Sequence, residues 1–205
     1  KSLDKVDLKV VLLGGADVGK TCLLERFAFD KFSMNSSSTV GVSFIRRKVP
    51  VSESDSVTLG VWDTAGSEKF ASMSRLYYRD ANAAILCYDI SSKDSVKQME
   101  KWIEELLQNE PNCYIYIVGT KGDLEDKREV TTAKIEAVVR QCDAKAQFIT
   151  SALNGKNVEP LFERVASDWW AVEKATMKNQ PNRLTLGVMP AIGRRDGTSN
   201  GGCSC

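Results

Sequence analysis

Gly14-Gly15-Ala16-Asp17-Val18-Gly19-Lys20-Thr21 fits G-x-x-x-x-G-K-S/T, a spacing that lets main-chain amides surround phosphate oxygens. It stands where that chemistry requires, after the apolar run Val10-Val11-Leu12-Leu13 and before the helical pattern of Leu23, Leu24 and Phe27. Glycines at both ends let the backbone turn its N–H groups inward, and the following helix adds the partial positive charge of its N-terminus. In such a loop Lys20 reaches the β- and γ-phosphates and the Thr21 hydroxyl ligates Mg²⁺. The plainer reading, a Gly-rich turn with a lysine by chance, is disfavoured because strand, loop, Gly-Lys-Thr and helix occur together.

Two later carboxylates stand at the ends of apolar runs. Asp63 in Trp62-Asp63-Thr64-Ala65-Gly66 is followed by a glycine whose N–H could approach a phosphate. Asp123, in Thr120-Lys121-Gly122-Asp123, is a candidate for choosing the base. A carboxylate there accepts from guanine N1–H and the N2 amine, whereas adenine offers no such pair of donors and leaves the charge unpaired. Asp123 could equally open a solvated acidic turn with Glu125 and Asp126, and the residues alone leave both readings open. The chain has no histidine, so any chemistry rests on carboxylates, hydroxyls, lysine, arginine, backbone and a bound metal.

The elements that must position these groups alternate. Strands are expected at 7–13, 42–51, 57–62, 83–88, 114–118 and 147–149, and helices at 19–29, from Ser92 or Asp94 to 109, from Thr131 through 139, and at 157–172. The second and third strands are joined by Ser52-Glu53-Ser54-Asp55, the spacing of a hairpin. Polar stretches at 30–40 and from Ser67 read as loops, the second ending in a short helical stretch around Met73, Leu76 and Tyr77. This order predicts an α/β chain with a six-stranded, mostly parallel sheet and helices on both faces. In such sheets ligands bind beyond the carboxyl ends of the strands. The phosphate loop, Asp63, Asp123 and Ser151 all fall at those ends.

At 205 residues the chain suits one domain with an appendage. A net charge of +1 gives no basic field, so nucleic acid is not an expected partner. No apolar run approaches ~20 residues and no secretory signal is visible, so a cytosolic protein is expected. Its six cysteines read as reduced thiols, and the Asn35-Ser36-Ser37 sequon as an accident. Beyond Lys174 the composition turns to Asn, Gln, Pro, Gly and Ser, which predicts a folded domain at 1–175 and a flexible tail at 176–205.

Taken together, these motifs resemble the Rab family of small GTPases, whose G domain is a P-loop NTPase fold. The resemblance covers about Asp7 to Lys174. It is carried by Val40-Gly41-Val42-Ser43-Phe44, Trp62-Asp63-Thr64-Ala65-Gly66, Tyr77-Tyr78-Arg79-Asp80-Ala81, Leu86-Cys87-Tyr88-Asp89-Ile90 and Ser151-Ala152-Leu153-Asn154-Gly155-Lys156-Asn157-Val158. It implies GTP and GDP as ligands, held by Gly14, Asp17, Val18, Gly19, Lys20, Thr21, Cys22, Phe32, Thr39, Gly66, Thr120, Lys121, Asp123, Ser151, Ala152 and Leu153. Mg²⁺ would be held by Thr21, Thr39 and, through water, Asp63. Lys20, Thr39, Gly66 and Ser67 would surround the γ-phosphate as the catalytic set. Phe44, Trp62 and Tyr77 match the aromatic triad that displays nucleotide state to effectors.

Three positions depart from the family pattern. Ser67 stands where most relatives carry a catalytic Gln and is too short to hold the attacking water by a carboxamide. Intrinsic hydrolysis is therefore expected well below ~10⁻⁴ s⁻¹. Thr120 replaces the usual Asn of the base motif, so one contact, to the purine or to the phosphate loop, is lost. Ala16 replaces a loop glycine. Ser67, Thr120 and the stretch from Met73 to Arg79 resemble an atypical branch of the family associated with autophagy and late endosomal traffic.

The chain ends in Cys203-Ser204-Cys205, which is not a C-a-a-X box but resembles the C-x-C ending that carries two geranylgeranyl groups. Two chains anchor stably where one is marginal. The implied partners are an exchange factor, a GTPase-activating protein, Rab escort protein, GDP dissociation inhibitor, effectors and the cytosolic face of an endomembrane. Against this switch stand two other readings: a nearly non-hydrolysing module that stays GTP-loaded, and an ATP-dependent kinase or ATPase sharing only the phosphate loop.

Overall fold

The structure, a computed structural model, describes residues 5–33, 42–64 and 78–179, with side chains in the last helix as far as Thr176. The elements are β1 (Leu8–Leu13), α1 (Lys20–Phe29), β2 (Val42–Pro50), β3 (Ser56–Thr64), β4 (Ala83–Asp89), α2 (Lys93–Asn109), β5 (Tyr114–Thr120), α3 (Thr132–Gln141), β6 (Ala146–Ile149) and α4 (Val158–Asn179). A 3-10 turn, Glu125–Lys127, follows β5. The strands form one sheet in the order β2-β3-β1-β4-β5-β6. Only the β2–β3 hairpin is antiparallel, with Phe44 opposite Trp62 and Ser43 opposite Asp63.

Two hydrophobic layers sandwich the sheet. Alternation along β1 sends Leu8, Val10 and Leu12 to one face, where Leu23, Leu24 and Phe27 of α1 meet Leu161, Phe162 and Val165 of α4. Val11 and Leu13 face the other side with Val96, Met99, Ile103 and Leu106 of α2 and Ile135 and Val138 of α3. β4 lies between the two layers and is buried throughout, which is why it reads Ala-Ala-Ile-Leu-Cys-Tyr-Asp with little alternation. β1 has β3 on one side and β4 on the other, both parallel to it. The sheet therefore fans in both directions from β1, and the crevice at its carboxyl end is the natural ligand site.

Caps decide several boundaries. Ser92, rather than Asp94, caps α2 by accepting from Ser95 N, and Thr131 caps α3 by accepting from Lys134 N. β3 continues two residues past Trp62, so Asp63 and Thr64 are in the strand. β5 likewise takes in Gly119 and Thr120, because both pair with β4, where Thr120 lies opposite Asp89.

The chain divides into two compact units, residues 1–171 and 172–205. The first holds the sheet and both layers. Of the second, the described part is the end of α4, where Thr176 Oγ1 donates to Val172 O at 3.0 Å. The boundary expected at 175/176 falls inside this helix, as does the helix end expected at Val172. Nothing between 172 and 179 breaks a helix, and the next proline is Pro181. The expected site residues Thr39, Gly66, Ser67 and Tyr77 and the terminal Cys203 and Cys205 lie outside the described residues, as does the short helical stretch expected around Met73.

Candidate functional site

The phosphate loop runs from the end of β1 to the start of α1 with three residues at positive φ: Gly14 at 143°, Asp17 at 58° and Gly19 at 90°. Gly14 also has no room for a side chain, since a Cβ there would lie 2.4 Å from Cys87 O. Ala16 is not among the positive-φ residues, so its methyl carries no backbone strain. Asp17 and Ala16 are exposed at the loop's rim, while Val18 is buried and anchors it.

Lys20 opens α1 with its side chain folded back over the loop. Its Nζ donates to Gly14 O at 3.0 Å and Gly15 O at 2.7 Å and is almost fully buried. Burial pushes its pKa down from the ordinary value, partly opposed by Cys87, Asp63 and Asp17. One residue on, Thr21 Oγ1 donates to Asp63 Oδ2 at 2.6 Å. The other oxygen, Asp63 Oδ1, is buried with no hydrogen-bond partner among the described residues. Burial pushes the Asp63 carboxyl up, against the Thr21 hydrogen bond and the Lys20 charge. An orphaned carboxylate oxygen beside a hydroxyl is a hard, oxygen-only donor set, and it fits a magnesium ion that keeps part of its water shell.

At the far end of the crevice, Asp123 is exposed and held from beneath by the buried Ser151, whose hydroxyl donates to Asp123 Oδ1 at 2.5 Å. Lys121 has φ 55° and its Nζ lies 2.7 Å from Asp89 Oδ2 at the end of β4. Burial works against ionised Asp89, but the hydrogen bonds from Lys121 and Ser91 outweigh it and hold the carboxyl below its ordinary pKa. Thr120 donates its hydroxyl to Val18 O and lies 2.9 Å from Tyr88 O. Ala152 and Leu153 follow Ser151 in the turn before α4, with Leu153 exposed. Phe32, half-buried, lies just beyond the end of α1.

The site therefore draws on the ends of β1, β3, β4, β5 and β6, and on the start of α1. Phe44 and Trp62 sit apart from it, packed at 4.6 Å between ring centroids across the hairpin, with Lys9 Nζ 5.0 Å from the Trp62 ring. Sequence reasoning missed two arginines. Arg26 of α1 donates to Ala152 O and Leu153 O, and Arg47 of β2 pairs with Glu159 at 2.8 Å. Arg26 carries no motif signal, since its place in the last turn of an amphipathic helix looks like ordinary surface. Asp89, noted only within a signature, turns out to pair with the base-motif lysine.

Comparison with known proteins agrees with this geometry. Residues 9–170 match the Ras family. "Ras-related protein Rab-24" of Dictyostelium discoideum is 45% identical over 168 residues, covering 80% of this chain and 82% of that protein. "GTP-binding protein ypt5" of Schizosaccharomyces pombe is 35% identical over 100% of this chain and 97% of its own length. "Ras-related protein RABA5a" of Arabidopsis thaliana is 36% identical over 96% of this chain and 93% of its own length.

Proposed function

Because this chain belongs to the Ras family of small GTPases, with Rab proteins among its relatives, we propose that it is a membrane-anchored GTP/GDP switch in vesicle traffic whose own hydrolysis is weak. The observation that carries this reading is the pairing of two ends of one crevice. At one end Lys20, Thr21 and Asp63 gather desolvated charge that a triphosphate and Mg²⁺ would balance. At the other end Ser151 holds Asp123 with its carboxylate exposed toward a base.

In this reading Thr21 and Asp63 hold Mg²⁺, which when bound neutralises charge developing on the β- and γ-oxygens. Lys20, Gly14, Val18, Gly19 and the loop amides orient the phosphates, and Asp17 and Cys22 flank them. Thr120, Lys121, Asp123, Ser151, Ala152 and Leu153 receive the guanine, with Phe32 on its face. Thr39 and Gly66 sense the γ-phosphate, so that its loss releases the segments on either side of β2 and β3. Ser67 leaves the attacking water without a carboxamide, and an activating protein donating its own Gln and Arg would restore the rate.

Phe44 and Trp62 pack together across the hairpin and, with Tyr77 as the third member that the resemblance implies, would display nucleotide state to effectors. Among the described residues no helix is long and apolar enough to cross a membrane, and lipids on Cys203 and Cys205 would supply the anchor. Autophagosomal and late endosomal membranes are the compartments to examine first. Escort protein, GDP dissociation inhibitor, an exchange factor and an activating protein would complete the cycle.

Nucleotide content of the purified protein, followed by binding of GTP and ATP to the emptied protein with magnesium, tests this reading. Preference for GTP is expected. ATP preference, or no binding of either, would overturn it.

A further inference from the structure

We propose that Arg26 is the positioning residue that holds the guanine pocket together, through one guanidinium shared between the two main-chain segments flanking the base. The proposal rests on the reading of Asp123 and Ala152 as the guanine site. Arg26 Nε donates to Ala152 O at 2.6 Å and Nη2 to Leu153 O at 2.9 Å. Nη1 turns the other way and donates to Asp30 O at 3.0 Å and Asp30 Oδ1 at 2.8 Å. The side chain is only 16% exposed, although its partners come from segments more than a hundred residues apart.

The peptide planes give these bonds a consequence. Carbonyl and N–H of a trans peptide point in opposite directions. Ser151 O accepts from Gly155 N at 2.9 Å, so the Ala152 N–H points away from Gly155. Ala152 O is held by Arg26, so the Leu153 N–H points away from Arg26. Two successive amide donors are thereby aimed outward from the turn, an arrangement suited to an acceptor such as the carbonyl oxygen of guanine.

On its other side the guanidinium fixes the end of α1. Asp30 caps that helix in the left-handed region at φ 52°, ψ 36°, and its backbone N–H donates to Arg26 O. The chain then leaves α1 toward Phe32. α1 begins with Lys20 and Thr21, so a single helix carries the phosphate contacts at its start and the clamp on the base segments at its end. Loss of the guanidinium loosens both base segments while leaving the phosphate loop intact.

The test uses full-length protein and two nucleotides, GDP and the diphosphate of 2-aminopurine riboside, which lacks the base oxygen and, with it, the N1–H. In Arg26→Ala, GDP release is expected to accelerate by about tenfold or more, as loss of charge-assisted hydrogen bonds implies. Release of the 2-aminopurine nucleotide accelerates several-fold less, because the Leu153 amide that Arg26 aims has no oxygen to meet. Both accelerations are read against wild type. Arg26→Lys, which keeps the charge but not the fork, falls between the two and serves as the test variant if Arg26→Ala does not fold. Unchanged GDP release, or equal acceleration of both nucleotides, would reduce Arg26 to a structural residue. Wild-type protein that holds ADP as tightly as GDP would instead remove the guanine site itself, and the proposal with it.

Discussion

The Thr120 hydroxyl donates to the main-chain carbonyl of Val18, joining the end of β5 to the phosphate loop across 102 positions of sequence. The same oxygen lies 2.9 Å from Tyr88 O, so a single proton serves two carbonyls and none remains for a purine. The tie to the loop is kept in this chain, and in the proposed guanine site a donor toward the base is what it would lack. Thr120→Asn restores a carboxamide with two N–H donors, and it is expected to slow GDP release several-fold, the equivalent of one neutral hydrogen bond at ~0.5–1.5 kcal/mol. Stopped-flow release rates check this, and an unchanged rate would count against the missing contact.

Asp63 presents one carboxylate oxygen to Thr21 and leaves the other buried without a partner among the described residues. Asp63→Asn removes the charge while keeping the shape. The affinity for Mg²⁺ in the nucleotide complex should fall about 10- to 100-fold, the usual cost of removing an outer-shell partner. Titrating GDP release against free Mg²⁺ measures it, and an unshifted midpoint would exclude Asp63 from the metal site.

Hydrolysis should respond to the residue after Gly66. Wild-type protein is expected to hydrolyse bound GTP well below ~10⁻⁴ s⁻¹, and Ser67→Gln to raise that rate toward the level of Gln-bearing relatives. Single-turnover phosphate release decides it. A wild-type rate at or above that scale would show that the water is positioned by some other group.

Arg47 on β2 joins three elements. It pairs with Glu159 at the start of α4 through both terminal guanidinium nitrogens, at 2.8 and 3.0 Å, lies 4.3 Å from the Phe27 ring, and donates to Phe27 O. Phe27 in turn stacks on Phe162 at 3.7 Å. Half-exposed ion pairs alone contribute little, so most of the loss in Arg47→Ala should come from the ring and carbonyl contacts. A destabilisation of about 1–2 kcal/mol is expected in urea titrations. Glu159→Gln should cost clearly less, and equal losses would place the energy in the ion pair instead.

Alkaline pH should weaken the fold. Burial pushes the Cys87 and Cys113 thiols from 9.0 up to about 12, and the Tyr88 phenol from 10.0 up to about 12 against the opposing charge of Arg128. The folded chain holds these protons more tightly than the unfolded one. Their contribution is thus complete below about pH 9 and is lost as pH rises through about 12. Urea midpoints on either side of about pH 9 measure the fall, and Cys113→Ala should flatten it. A midpoint that rises with pH across this window would contradict the burial of these groups.

Much of this protein could be read from residue order alone. The phosphate loop between a strand and a helix, the alternation of strands with helices, and the acidic residues at strand ends all depend on contacts within a few residues, so local spacing reveals them. That level of information sufficed for the sheet, its two helical layers and the crevice. The extension of α4 to Asn179 was missed because a composition that looks like a tail contains no helix breaker before Pro181.

What residue order could not supply is which partner a polar group chooses when several lie within reach. Ser151 beneath Asp123, the Thr120 hydroxyl on Val18, Thr21 on Asp63 and the bonds of Arg26 to Ala152 and Leu153 each join positions brought together only by the folded chain. A hydrogen bond is decided by ångström distances and peptide orientation, and neither leaves a periodic trace in sequence. The family and its crevice were therefore legible in the chain itself, whereas the partners that two arginines, a threonine and a serine take were settled by packing.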